Sequence, residues 1–287
     1  MGSIGEEEVY LFGRNAEESE RLNVQHEFMV SLIGSSPLHP SIPTENIVSV
    51  ADVATGTGIW LSTLPKHLPS NSHRLYLHGF DISSAQFPFL KDITPTYETH
   101  LSAHDMRERF PAEHHGRYDL VHLRLLTGAL KNDEYPRSMK HVYELLNPGG
   151  YLQWDECDCS AFDIAEKTPS LIAVQMKQHV LDAVSTLGLC PSPAAEIERL
   201  AKKVGMVDVT RDRYTTLDKP HVHEAARAWI VTVMKALLPA AIMGSGKTAD
   251  RDEAMESANR IMEEFEEHTV SALPLVNLQV IVGRKPL

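Results

Sequence analysis

The sequence predicts a doubly wound α/β domain on a mostly parallel, seven-stranded sheet. Two observations carry that reading. Short runs rich in β-branched residues alternate with helical stretches through the first 160 residues, which is the pattern of a parallel sheet covered by helices on both faces. The first of these runs feeds a glycine-rich turn, Ala54-Thr55-Gly56-Thr57-Gly58, that opens a helix.

Each element follows in order. Asn15 and Glu18 have the spacing of a capping box, and Leu22, Met29, Leu32 and Ile33 give the helix behind them an apolar face. Gly34 and the proline-rich stretch at 37–43 end it. Residues 47–53 are a short apolar run bounded by turn residues, the mark of a buried parallel strand. A second strand at 75–80 closes on Asp81, a third at 98–102 ends before Asp105, and a fourth covers 118–123. A helix at 138–146 carries Met139, Val142, Leu145 and Leu146 on one face. Asn147-Pro148-Gly149-Gly150 reads as a turn, and 151–154 as a fifth strand. After residue 160 come helices at 170–187 and 193–204, and a strand at 207–215. An amphipathic helix at 221–238, a charged helix at 252–267 and a last strand at 275–282 complete the chain. The layout divides into an N-terminal helical lid (1–40), a cofactor-binding α/β core (41–160) and a C-terminal half of the same domain (161–287). A helical insertion before the last strand, about 219–272, supplies further lid helices.

Composition narrows the function. Lys plus Arg number 27 against 39 Asp plus Glu, a formal net charge of −12. Such a surface repels phosphate backbones and anionic lipid, so a small-molecule substrate is expected, and neither nucleic acid nor a membrane. Cys157, Cys159 and Cys190 form an odd, sparse set without zinc-ligand spacing. They predict no disulfide framework, no metal and a reducing, cytoplasmic setting. The first ten residues are acidic and lack an apolar run, unlike a signal peptide. No stretch reads as long and apolar enough to span a bilayer, and the sequence leaves the oligomeric state open.

A glycine turn between strand and helix lets a ligand approach the backbone and the helix N-terminus. Dinucleotide sites show a third glycine, but position 61 is Leu61. Asp81 ends the second strand, where a carboxylate accepts two hydrogen bonds from a ribose diol. Asp105 follows the third strand, placed to accept from an adenine amine with Met106 packed on the ring. A second glycine motif, Gly244-Ser245-Gly246-Lys247-Thr248, imitates a phosphate-binding loop. It lacks the first glycine, the residue there being Ala241, and it follows a helix instead of a strand.

Five stretches then resemble one family: Gly13-Arg14-Asn15 with residues 20–26, residues 53–60, Phe80-Asp81-Ile82-Ser83, residues 118–124, and residues 146–154. Over roughly residues 10–160 the chain resembles class I S-adenosylmethionine-dependent methyltransferases, and within them the small-molecule methyltransferases of fungal secondary metabolism. One departure is Ala54, where the family's turn has its first glycine. The resemblance implies S-adenosylmethionine as cofactor. It implies that Ala54, Thr55, Gly56 and Gly58 face the methionine portion, that Asp81 holds the ribose, that Ile82 packs on adenine and that Asp105 binds its amine. It places Arg124 beside the reactive methyl.

The expected reaction is methyl transfer to oxygen or nitrogen of a small, largely apolar metabolite. His122, Asp155 and Glu156 are the candidate bases and Arg124 a further catalytic candidate, all near strand ends. Trp154, Trp229, Met234 and His26 are the candidate acceptor contacts. Three other readings stay open at this point: a dehydrogenase on the same architecture, told apart by binding of a nicotinamide cofactor; a methyltransferase-like cyclase or pericyclase that keeps the cofactor; and a regulatory methyltransferase-like protein.

Overall fold

The computed structural model describes residues 14–69, 75–87, 97–246 and 248–287. β1 (Ser49–Val53), β2 (Tyr76–Asp81), β3 (Glu98–Ala103), β4 (Tyr118–Arg124) and β5 (Leu146–Cys157) lie parallel. With β9 (Asn277–Arg284) and β7 (Val207–Thr215) they form a seven-stranded sheet in the order β3-β2-β1-β4-β5-β9-β7. β9 runs antiparallel to both its neighbours. The chain steps outward from β1 to β3 and returns to β4 on the other side of β1. That reversal opens a crevice at the carboxyl ends of β1 and β4, the place where such sheets bind ligands.

Strand alternation assigns the two faces. Ala51, Val53, Val121, Leu123, Leu152 and Trp154 pack with α3 (Tyr135–Leu145) and α5 (Pro193–Lys203). Val50 and Leu120 pack on the opposite face with Trp60 and Leu61 of α2 (Ile59–Thr63). A third apolar cluster joins α1 (Ala16–Ile33), α4 (Leu171–Thr186), α6 (His223–Gly244) and α7 (Arg251–His268) through Phe28, Met176, Met234 and Phe265. A small two-stranded sheet, β6 (Asp163–Ala165) with β8 (Leu273–Leu275), lies beside them.

Five expectations change. The turn at Asn147–Gly150 lies inside β5, where the pairing jumps from Tyr118–Leu146 to Leu120–Tyr151. Gly149 there takes φ +85°, and its amide donates to the Lys285 carbonyl. The last strand divides at Val276 into β8 and β9. α6 continues through Pro239 to Gly244, because Ala241 and Ile242 beyond the expected end are buried. It therefore absorbs the start of the imitation phosphate loop, whose Lys247 lies outside the described residues. Residues 220–244 are also long and apolar enough, at mean hydropathy 1.5, to cross a membrane by length and composition. That corrects the expectation of no such stretch. In the fold, α6 packs its apolar face against α4 and α7. Finally, Asn15 caps α1 by accepting from the Glu18 amide (2.9 Å), while the Glu18 carboxylate turns to Arg21 (2.6 Å).

Candidate active site

A cavity of about 250 Å3 opens at the crevice, walled by the ends of β1, β2 and β4, by α1, and by α6. Its two sides differ in chemistry. One side carries Gly56, Asp81, Ile82, Asp105, Met106 and Arg107. The other is built from Leu126, Ala129, Phe162, Met234, Leu237 and Val276.

On the polar side, the glycine turn is drawn tight by its own amides. The Thr55 amide donates to the Phe80 carbonyl (2.9 Å), and the Gly58 amide to the Thr55 carbonyl (2.9 Å). The Gly56 amide donates to Asp81 Oδ2 (2.9 Å). Donors spent in this way cannot cradle a pyrophosphate. Gly56 at φ +55° also lets α1 close in, since a Cβ there would sit 3.1 Å from Leu22 Cδ1. Ala54 holds φ +59°, a left-handed conformation that costs alanine about 1 kcal/mol and glycine little. Asp81 Oδ1 accepts from the Ser83 amide (3.0 Å), so each oxygen keeps lone-pair capacity for a ligand. Burial raises its pKa, and the Ser83 and Gly56 amides restrain that rise. Ile82 is 46% exposed beside it, although it lines the cavity, as a platform for a flat apolar ring must be. Asp105 accepts from Arg107 Nε (3.0 Å) and lies 2.8 Å from Nη2, while Arg107 Nη1 donates to Glu134 (3.0 Å). Burial pushes the Asp105 pKa up, but the Arg107 hydrogen bonds bring it below its ordinary value.

Three polar candidates lie behind the cavity wall. His122 is 1% exposed and stacks on Trp60 with ring centroids 3.8 Å apart. Its Nδ1 meets Asp52 Oδ1 at 2.7 Å, and its Nε2 meets Asp155 Oδ2 at 3.5 Å. Asp52 pairs with His122 in the sheet register, and Asp155 with Arg124, so adjacent strands assemble the group. Asp155 also accepts from Gln153 Nε2 (3.0 Å). Glu156 is fully buried, accepts from the Leu126 (2.9 Å) and Cys157 (3.0 Å) amides, and is pushed up to about 8 by burial. Asp155 and Glu156 line neither cavity, and His122 reaches only a side cavity of about 50 Å3. Both nitrogens of His122 are engaged, so none of the three is placed as the base the sequence suggested.

The other candidates divide. Arg124, Trp229 and Met234 line the main cavity. Trp229 Nε1 donates to Gln25 Oε1 (2.8 Å), which also accepts from Arg21 Nη1 (2.7 Å), tying α6 to α1. Trp154 does not line it. It is fully buried and stacks on Tyr135 of α3, because its strand parity matches Leu152 and not Asp155. His26 is buried beside the cavity, where its Nδ1 accepts from Arg124 Nη1 (3.2 Å). Burial and the Arg124 charge lower its pKa to about 3, so it is neutral. Thr55 turns to Asp52 Oδ2 (2.7 Å) and lines only the side cavity, and Gly58 caps α2 and lines neither. Arg21, Gln25 and Arg107 are wall residues that the sequence reading missed. The spacing of Glu18, Arg21 and Gln25 along one helix face was the available signal for the first two.

A family model described as "Methyltransferase domain" matches residues 16–210. Methyltransferase grgD of a Penicillium species is 34% identical, over 74% of this chain and 74% of that protein. N-methyltransferase tcpN of Claviceps purpurea is 24% identical, over 70% of each. A chain of the solved complex between the Haloferax volcanii Trm112 methyltransferase activator and a methyltransferase shares the fold, with a TM-score of 0.55 at 16% identity over 96% of each chain. With a methyltransferase model matched across most of its sheet, the chain belongs to the class I S-adenosylmethionine-dependent methyltransferases.

Proposed function

We propose that this enzyme transfers the methyl group of S-adenosylmethionine to oxygen or nitrogen of a small, largely apolar metabolite. The observation that carries the reading is the two-sided cavity: a carboxylate and an exposed apolar platform at the end of β2, facing a chamber of aliphatic and aromatic side chains. The residues present fit the cofactor. Asp81 has lone pairs for a ribose diol, and Ile82 and Met106 flank the space for a purine. Asp105, anchored by Arg107, lines the same side of the cavity, which supports its role as acceptor for the exocyclic amine. When bound, S-adenosylmethionine supplies a methyl group on a sulfonium, whose departing thioether is neutral. The protein's work is then alignment and the exclusion of water. α1 and α6, joined through Gln25 and Trp229, cover the chamber for that purpose.

Calorimetry tests the cofactor half. The protein is expected to bind S-adenosylmethionine and S-adenosylhomocysteine and not NAD, because the Thr55, Gly56 and Gly58 amides of the turn are already committed. Binding of NAD without binding of the sulfonium would refute it. A product heavier by one methylene separates transfer from a cyclisation that leaves the cofactor intact.

The acceptor half is tested at Trp229. Trp229→Ala is expected to lower kcat/KM for the acceptor by about tenfold or more, the effect of losing a well-packed aromatic contact, with S-adenosylhomocysteine affinity within about twofold. A variant that loses only thermal stability, with normal kinetics while folded, would make α6 a core helix.

A further inference from the structure

Arg124 stands at the end of β4, at the junction of the main and side cavities. Of its five N–H groups, one hydrogen bond is used, from Nη1 to His26. No carboxylate among the described residues pairs with it at ion-pair distance. Asp52 and Asp155 act on it at longer range, and both are bridged by His122. Burial pulls the guanidinium's pKa below its ordinary value. A cation so placed, with donors to spare, lacks the anion that would offset its desolvation.

Among the described residues, the rest of the chamber offers one carboxylate away from the cofactor side, Asp158, and it is tied down by two hydrogen bonds. His122, Asp155 and Glu156 are behind the wall. Asp158 lines the cavity, but its oxygens accept from Gln279 Nε2 (2.6 Å) and the Ala194 amide (3.1 Å). Burial raises the Cys159 thiol to about 12 and the Cys157 thiol well above 9. His104 lies on the cofactor side, next to Asp105. Among the described residues, an alcohol or amide therefore finds no carboxylate in the chamber with both oxygens unengaged, and an ammonium meets a guanidinium of the same sign.

We propose that Arg124 receives an anionic oxygen of the acceptor, so that the natural acceptor is methylated on an acidic oxygen, that of a carboxylic acid, enol or phenol, and not on an amine. The proposal rests on the methyl-transfer reading given above. The acceptor arrives ionised, so no proton has to be removed. A lone pair of its oxyanion forms the O–CH3 bond, the S–CH3 bond breaks, and that electron pair remains on sulfur as the neutral thioether. Arg124 orients the oxyanion through parallel N–H donors, which a lysine cannot reproduce.

Matched probes test this without knowledge of the natural acceptor. Protein saturated with S-adenosylhomocysteine is titrated with 4-phenylbutyrate and with 4-phenylbutylamine at neutral pH. The carboxylate is expected to bind about tenfold or more tightly than the amine. Arg124→Gln should remove most of that preference, Arg124→Lys should keep part of it, and affinities for S-adenosylhomocysteine and 5′-methylthioadenosine should hold within about twofold. Equal or better binding of the amine overturns the proposal, as does an Arg124→Gln protein that keeps the preference. If Arg124→Gln weakens S-adenosylhomocysteine but not methylthioadenosine, the guanidinium holds the cofactor's own carboxylate, and the proposal fails. If wild type binds no S-adenosylhomocysteine at all, it is the methyl-transfer reading that fails.

Discussion

Asp81→Ala is expected to cost roughly ten- to hundredfold in affinity for S-adenosylhomocysteine. A charge-assisted hydrogen bond from a ligand hydroxyl is worth about 1.5–3 kcal/mol, which sets that range. The carboxylate has two functions that the variant loses together. It accepts the Gly56 and Ser83 amides, which fixes the glycine turn against the end of β2, and it keeps lone pairs turned to the cavity. Asp81→Asn separates them, since the amide oxygen still accepts a backbone N–H but the charge is gone. Its affinity should fall between wild type and Asp81→Ala. Burial raises the Asp81 pKa, so the ionised form that a diol prefers is lost at a higher pH than for an exposed aspartate. Wild-type affinity should accordingly weaken on acidification through that raised pKa, and the alanine variant should lack this limb. Calorimetry on a variant with an intact thermal transition decides it. An unchanged dissociation constant would remove Asp81 from the site.

What the sequence disclosed and what it hid can be seen at particular residues. Asp81 and Asp105 were legible because a parallel sheet presents its strand ends to the ligand, and each strand end could be marked by its turn. Trp154 was misplaced for a reason of parity. Alternation says that Leu152 and Trp154 share a face opposite Gln153 and Asp155, but not which face carries α3. The meeting of Asp52, His122 and Asp155 was hidden further. It depends on β1, β4 and β5 lying side by side in one register, a pairing between residues 33 to 70 positions apart. Nothing local encodes that distance. The end of α6 was misplaced for another reason. Pro239 disfavours a helix interior, but burial of Ala241 and Ile242 beyond it carries the helix on to Gly244.

The same buried group carries the largest effect on stability. His122→Phe keeps an aromatic ring against Trp60 and removes both nitrogens, leaving Asp52 and Asp155 buried without their shared partner. Breaking a buried ion pair from one side costs about 3–5 kcal/mol, a large part of the about 5–15 kcal/mol by which such domains are stable. The sign of the pH dependence identifies the cause. Burial alone would push the His122 pKa down, but the hydrogen bonds from Asp155 and Asp52 overcome it, so the folded value lies above 6.5. Its contribution to stability is then fully present below 6.5 and is lost as pH rises through the raised value. Arg124 lines the same side cavity as His122, and the neutral His26 is turned to Arg124. Glu156, raised to about 8, adds its own loss of stability between its ordinary range and that value. The difference between wild type and His122→Phe, measured by denaturant unfolding across pH 6 to about 9, cancels the Glu156 contribution. That difference should be greatest at the acid end and shrink toward the alkaline end, where the imidazole of wild type is neutral as well. A gap that is small, or that does not change with pH, would mean that His122 is neutral in the fold and that its hold on Asp52 and Asp155 is one of shape and hydrogen bonding, without charge.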